Sequence, residues 1–396
     1  MNRMAICLVL LLLAVLPDAM FAPVLKSILV DRYEVGEASA FWFMSVNLLG
    51  IILVLPALPW LRRRMAPAIL IAIAAICNGI LYAVMALPIG LVGTLCVRGL
   101  EGAPDLVALA AVLSLVSRGS EVRGDDNRGL RFGLAGTTMM MALVLGLLIG
   151  GLSSGSGPGV IFGIAAGECL LLAIVSITLS GFLPATHASP LPVDQDTASR
   201  YPVWPAMLFM FTDRGLGGAL SIAGALYMQS ILDLSPRLTS SLLAMTILLL
   251  AICNGPLGFL ADRFGALRIR VIAAAGYGIC FMGLALSDVM PMGWLIVMLC
   301  LMGLAGAGLI PTALSLGARH GGGTTDMGLL QAAGQWGFFA ASALGGLVLH
   351  LKSGEEPLSA SSWAILFVTY AAIYLVLNLV GVLGIGWRRI RPSPQR

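Results

Sequence analysis

Charge is the scarcest component of this sequence. Asp, Glu, Lys and Arg together make up 11% of 396 residues, against about 25% in soluble domains. With 59% hydrophobic residues and a mean hydropathy of +0.98, the chain has too little polar surface to cover its apolar surface in water. A soluble globular fold is excluded, and a polytopic membrane protein is implied. Lysine is nearly missing, present only as Lys26 and Lys352. Neither follows a glycine, so no Walker A loop exists to hold ATP phosphates, and the zinc-protease signature HExxH is absent as well. Any work must draw on a gradient or a partner, and no ATPase subunit is implied. The seven cysteines all lie in apolar runs without zinc spacing and read as small buried hydrophobes, so no metal or other cofactor is expected. Only three histidines occur, His187, His320 and His350, and none accompanies the serines of Gly151-Leu-Ser153-Ser154-Gly155. An enzyme is therefore not expected. The net charge of +4 is spread over short loops, which excludes a nucleic-acid patch.

What is present is a succession of apolar runs of spanning length: 4–30, 38–61, 66–87, 90–116, 130–152 and 159–183, then 203–231, 238–261, 268–286, 293–316, 327–351 and 363–387. The first is too long for a signal peptide and carries Asp18 and Lys26, so it is expected to be an uncleaved membrane helix. Between the sixth and seventh runs lies the longest polar stretch, with Pro184, Pro190, Pro192, Asp194 and Asp196. The expected organisation is a six-helix bundle over 1–184, a cytoplasmic linker over 185–202, a second six-helix bundle over 203–387 and a basic cytoplasmic tail over 388–396. Alternating loops divide the charges by sign. Arg62 to Arg64, Arg118, Arg123, Arg128, Arg131, Arg263, Arg268, Arg270, Arg319 and Arg388 fall on one side with both termini, and Asp31, Glu34, Asp233, Asp288 and Glu355 on the other. The positive-inside bias places both termini in the cytoplasm of a plasma or inner membrane. The halves also echo each other, with Gly99-Leu-Glu101-Gly102-Ala103 in the fourth helix and Gly303-Leu-Ala305-Gly306-Ala307 in the tenth.

Ionisable residues inside the spans point to function, because each costs roughly 2.5–3.5 kcal/mol at a helix centre. They are Asp18 in the first helix, Arg98, Glu101 and Asp105 in the fourth, Glu168 in the sixth, and Asp213 and Arg214 in the seventh. Arg98, Glu101 and Asp105 share one helix face, where an arginine between two carboxylates lets a proton and a charged solute compete. The other reading is a structural ion pair within the bundle. Asp18 follows Pro17, which frees a carbonyl and kinks the helix. It reads either as a cavity-facing carboxylate or as a partner of Arg98 or Arg214. Asp213, Gly217, Ser221 and Ala225 form a small polar stripe expected to face inward, which turns Arg214 toward a neighbouring helix. Glu168 is isolated in sequence and reads as a local hydrogen-bonding partner. Gln331 and Gln335 lie one turn apart on the eleventh helix, as secondary cavity candidates.

Three stretches carry a family resemblance. G-F-L-A-D-R-F-G-A-L-R over 258–268 resembles the cytoplasmic-loop signature of the major facilitator superfamily, with Gly258, Asp262, Arg263, Gly265 and Arg268 in the matching positions. Arg98-Gly-Leu-Glu101-Gly102 resembles that superfamily's fourth-helix motif R-x-x-Q-G, with Glu101 where the family has Gln. Ala142-L-V-L-Gly146-L-L-I-Gly150-Gly151 resembles its antiporter-type fifth-helix motif, whose proline is replaced here by Leu147. Gly146, Gly150 and Gly151 then read as helix-packing positions, either in that motif or as a plain small-residue face. The resemblance implies an all-α membrane fold of about twelve helices in two pseudo-symmetric bundles, with the first, fourth, seventh and tenth helices lining a cavity. It further implies secondary transport of a small solute by alternating access, with protons and the lipid bilayer as partners and a monomer as the working unit. Proton-coupled export of an amphipathic or cationic compound is favoured over uptake by symport or facilitated diffusion. Asp262 is expected to latch the cytoplasmic side near Arg128 and Arg131, or against the Arg319 end of the tenth helix. The first-half counterpart of the loop motif is eroded, with Trp60 in place of the carboxylate.

Overall fold

The computed structural model describes residues 3–121, 128–182, 203–318, 324–352 and 359–389. Each of the twelve apolar runs is occupied by helix, and no strand occurs among the described residues. Among the described residues, nine helical stretches are long and apolar enough to cross a membrane. The burial pattern is inverted relative to a soluble protein. Arg98, Glu101 and Arg270 are at most 2% exposed, while Leu53, Val92 and Ile272 are at least 70% exposed. Apolar side chains turned outward over polar groups turned inward suit a lipid surround.

Several runs are not single helices. α1 (Arg3–Met20) carries Pro17 and gives way to a 3₁₀ turn at Ala22–Val24, a π-helical segment at Lys26–Val30 and the single turn α2 (Asp31–Tyr33). Proline lacks the N–H of a regular turn, so both Pro17 and Pro23 loosen this stretch. The second run divides at Asn47 into α3 (Ala38–Val46) and α4 (Leu48–Val54), with α5 (Leu58–Arg64) below it. α6 (Pro67–Ala86), α7 (Gly90–Glu121), α8 (Arg128–Ser153) and α9 (Pro158–Thr178) are continuous. The seventh run is α10 (Trp204–Ala219), a π-helical segment at Leu220–Gly224 and α11 (Ala225–Ser230). α12 (Pro236–Phe264) and α13 (Ala266–Gly283) meet at Gly265, whose φ of +95° suits a residue without a Cβ. The tenth run divides into α14 (Met292–Gly306) and α15 (Leu309–Ala318), followed by α16 (Thr324–Lys352) and α17 (Ala360–Arg389).

The chain forms two packed units, with the boundary falling inside α12. The first is Met1–Ser189 with Met228–Leu248, and the second is Pro190–Tyr227 with Leu249–Arg396. In the first unit, α6 and α9 run antiparallel. Ser176 Oγ donates to the Ala68 carbonyl at 2.8 Å, and Gly79 leaves room for only 3.2 Å between an added Cβ and the Ala166 carbonyl. Gly102 of α7 lies directly on the Asn47 carbonyl, so the break in the second run seats against a residue with no side chain. Phe21 stacks with Phe43, Tyr82 and Phe162 to fill the interior. In the second unit, Gly337 of α16 lies on the Phe211 carbonyl of α10 in the same manner. Tyr227, Phe281, Trp363, Phe367 and Tyr370 form a continuous aromatic cluster there.

Candidate functional site

Two buried arginines organise the polar interior, one in each unit. In the first, Arg98 sits on α7 one turn before Glu101, and Arg98 Nη1 donates to Glu101 Oε2 at 2.5 Å. The pair is local, made by helix periodicity alone. Tyr82, on α6, donates its hydroxyl to the other oxygen, Glu101 Oε1, at 2.7 Å. The guanidinium lies 5.5 Å from the Phe21 ring centre and 5.2 Å from that of Phe43. Those rings take up part of its charge and keep water away. Glu101 therefore has a donor on each oxygen, while Arg98 Nε has no acceptor among the described residues. Asp18 of α1 and Asp105, two turns along from Arg98, act electrostatically on that guanidinium, and Asp18 acts also on Glu168 of α9. Three carboxylates thus share one guanidinium, with a fourth in range of Asp18.

The second site is closed. Arg270 of α13 is fully buried and grips Asp213 of α10 with both ends of its fork, Nη1 to Oδ2 at 2.5 Å and Nη2 to Oδ1 at 2.7 Å. Arg270 Nε donates to Asn378 Oδ1 of α17 at 3.2 Å, Nη2 donates to the same oxygen, and Nη1 reaches the Leu309 carbonyl at 3.3 Å. Tyr374 adds its hydroxyl to Asp213 Oδ1 at 3.3 Å, and Asn378 Nδ2 donates to Thr212 Oγ1 and the Tyr374 carbonyl. The guanidinium stacks 4.3 Å from the centre of the Phe209 ring. Every nitrogen of Arg270 has an acceptor, and the charges cancel within the cluster. Such an arrangement ties four helices together, α10, α13, α15 and α17.

The placement of Arg270 corrects its sequence assignment as a loop charge. α13 begins at Ala266, so Arg270 lies beyond its first turn and points inward. Tyr82, Tyr374 and Asn378 also went unread. All three are neutral, and the one sequence signal available was a polar residue standing in an otherwise apolar run. Glu168 is not isolated in space, since it lies within electrostatic range of Asp18. Arg214 is half-buried with its stem against α16, where a Cβ on Gly334 would come within 2.9 Å of Arg214 Cγ. Along the stripe following Asp213, a Cβ on Gly217 would meet open space, and Ser221 Oγ donates to the Gly217 carbonyl at 3.0 Å. Gln335 is half-buried on α16, while the Gln331 side chain lies outside the described residues.

Of the loop-signature residues, Gly258 faces Pro311 with 3.6 Å between an added Cβ and that ring. Arg263 is exposed and lies over the Phe264 ring, Gly265 makes the turn, and Arg268 is exposed. The Asp262 side chain and Arg319 lie outside the described residues, as do the side chains of Arg128 and Arg131. On α8, Gly146 abuts the Leu16 carbonyl, Gly150 the Met20 carbonyl and Gly151 the side chain of Ser240.

Residues 203–396 match the family model of the Major Facilitator Superfamily. Among curated proteins, no sequence relative matches. Solved structures match over the whole length. The nucleoside transporter NupG aligns with a TM-score of 0.70 at 14% identity, covering 97% of this chain and 99% of that one. A POT family transporter in complex with 5-aminolevulinic acid aligns with a TM-score of 0.75 at 12% identity, covering 97% and 96%. A bacterial homologue of the human lysosomal transporter Spinster, in an inward-facing and unoccupied conformation, aligns with a TM-score of 0.72 at 12% identity, covering 99% and 98%. Identities this low speak for the fold alone. The family match covers residues 203–396, just under half of the chain, and the structural likeness extends the same multi-pass helical membrane fold over its whole length.

Proposed function

We propose that the protein is a proton-coupled secondary transporter that exports a small amphipathic or cationic compound by alternating access. The observation that carries this reading is the charge imbalance inside the first unit. Asp18, Glu101 and Asp105 all act on the guanidinium of Arg98, and Glu168 lies within electrostatic range of Asp18. An apolar interior does not hold that excess of negative charge unless protons, a cationic solute or both neutralise it in turn. In this scheme Glu101 and Asp18 exchange the proton, and Asp105 and Asp18 receive the positive part of the solute. Arg98 and Tyr82 hold the Glu101 carboxylate in place, one on each oxygen. Asp213 and Arg270 support the second unit and take no proton. Sequence units 1–184 and 203–387 serve as the moving bundles, joined by the linker 185–202. Both termini and the tail 388–396 lie on the cytoplasmic side of an inner membrane, and the monomer suffices.

A second reading is a symporter or a facilitator for uptake. α8 runs unbroken from Arg128 to Ser153 with Leu147 where the antiporter motif has proline, which favours it. Purified protein in liposomes loaded with a pH-sensitive dye separates the two. A proton gradient is imposed, and a panel of cationic, neutral and anionic solutes is added to wild type, Asp18→Asn and Glu101→Gln. Cation-dependent proton movement that disappears in either variant supports coupled export, and its sign distinguishes antiport from symport. Solute movement without proton movement, unchanged in both variants, would establish a facilitator instead.

A further inference from the structure

Glu168 differs from every other carboxylate in the first unit. Neither of its oxygens is open to solvent, and neither has a hydrogen-bond partner among the described residues. It stands at the edge of the buried face of α9, between buried Cys169 on one side and exposed Ile164 and Leu171 on the other. The antiparallel register of α6 and α9, fixed by Ser176 on Ala68 and by Gly79 on Ala166 and Cys169, sets Asn78 level with Glu168. Asn78 is itself only 6% exposed, and its Oδ1 also lacks a donor. Tyr82, one turn further along the same face of α6, is committed to Glu101. Two buried acceptor groups therefore share one level of one helix pair, and no donor serves either.

We propose that Glu168 is a second proton-binding site of the transport cycle, with Asn78 Oδ1 as the acceptor for the bound proton. The inference rests on the proton-coupled reading above. A proton adds to one Glu168 oxygen, giving the neutral acid, whose O–H donates to Asn78. Deprotonation restores the carboxylate and returns the proton to the aqueous path. Nothing larger than a proton fits, since neither oxygen is accessible in the packed pair. The titratable groups within electrostatic range of Glu168 are Asp18 on α1 and Cys169 on α9 itself, while Tyr82, Arg98, Glu101 and Asp105 gather around one another beyond Asp18. Arg98 is taken by Glu101, and Asp18 adds a like charge to Glu168, so a proton is the compensating group within reach.

Infrared difference spectroscopy on the reconstituted protein reads this directly. The carbonyl band of a neutral carboxylic acid is expected in wild type and in Glu101→Gln, and is lost in Glu168→Gln. Asn78→Leu removes the acceptor and is expected to move that band to the frequency of an unbonded acid, which keeps the test alive if Glu168→Gln does not fold. In the liposome assay, Glu168→Gln lowers the number of protons moved per solute by one while solute still moves. An acid band unchanged in Glu168→Gln and Asn78→Leu overturns the inference, whatever the flux shows. Loss of the band in Glu168→Gln, in a protein whose wild type moves no protons with solute, leaves the site standing and overturns the coupling reading alone.

Discussion

The two buried arginines solve one problem in opposite ways. Arg270 is saturated: its carboxylate partner comes from a distant helix, and a carboxamide and a main-chain carbonyl take its remaining donors. Arg98 is undersupplied: its partner is three residues away on its own helix, and its Nε is left over, with further carboxylates in range. A local pair ties no helices together, so its two members are free to change partners at small structural cost. A cross-helix pair holds α10, α13 and α17 in register, so disturbing it disturbs the fold. Similar residue types thus serve as scaffold in one unit and as candidate working parts in the other.

The largest expected effect tests the scaffold side. Asp213→Ala leaves Arg270 buried without its counter-ion and should destabilise the protein by about 3–5 kcal/mol. Arg270→Lys should recover little of that, because an ammonium cannot replace a two-pronged grip. A thermal-unfolding series in detergent checks both, and wild-type stability in Asp213→Ala would refute the scaffold role. Next come the two close approaches between helices. Gly102→Ala and Gly337→Ala each drive a methyl into a facing carbonyl and should cost about 1–3 kcal/mol by the same assay. Indifference at either position would show that its helix pair has slack.

Glu101→Gln should shift stability by under about 2 kcal/mol, since the amide oxygen still accepts from one donor. It should nonetheless abolish solute-driven proton movement in liposomes. A large stability loss with intact proton movement would invert the comparison and make Glu101 structural. The phenols sharpen the comparison by their difference. Tyr82→Phe removes one of two donors to a charged group and should cost about 1.5–3 kcal/mol. Tyr374→Phe, at a carboxylate already gripped twice, should cost about 0.5–1.5 kcal/mol. Equal losses at the two positions would mean that the second cluster is less redundant than its geometry indicates.

Local features of this molecule were legible from sequence and distant ones were not. The apolar runs gave the helices because a spanning helix satisfies its own backbone. Arg98 and Glu101 could be paired because helix periodicity alone brings them together. Arg270 could not be paired with Asp213, since no periodicity links residues 57 apart in sequence. Its position beside Arg268 and the loop signature made it look like one more loop charge. Tyr82, Tyr374 and Asn378 act through direction rather than charge, and direction is set by how helices rotate against their neighbours. Helix interruptions were half visible: Pro17 marks the first, whereas the π-helical segment at Leu220–Gly224 has no proline to announce it.

That segment and its counterpart at Lys26–Val30 each begin about two turns beyond a carboxylate, Asp213 in one helix and Asp18 in the other. A π turn accommodates one residue more than an α-helix does, which rotates everything beyond it by roughly 100°. The C-terminal ends of the first and seventh helical runs are thereby uncoupled from the phase of their N-terminal ends. One residue removed from either segment, and none elsewhere, should let the helix heal into regular form. Evolution can therefore re-aim Tyr227 or Tyr33 by a single codon while Asp213 and Asp18 stay where they are. The same property means that an alignment of the two halves must allow a gap inside a helix, where gaps are ordinarily forbidden.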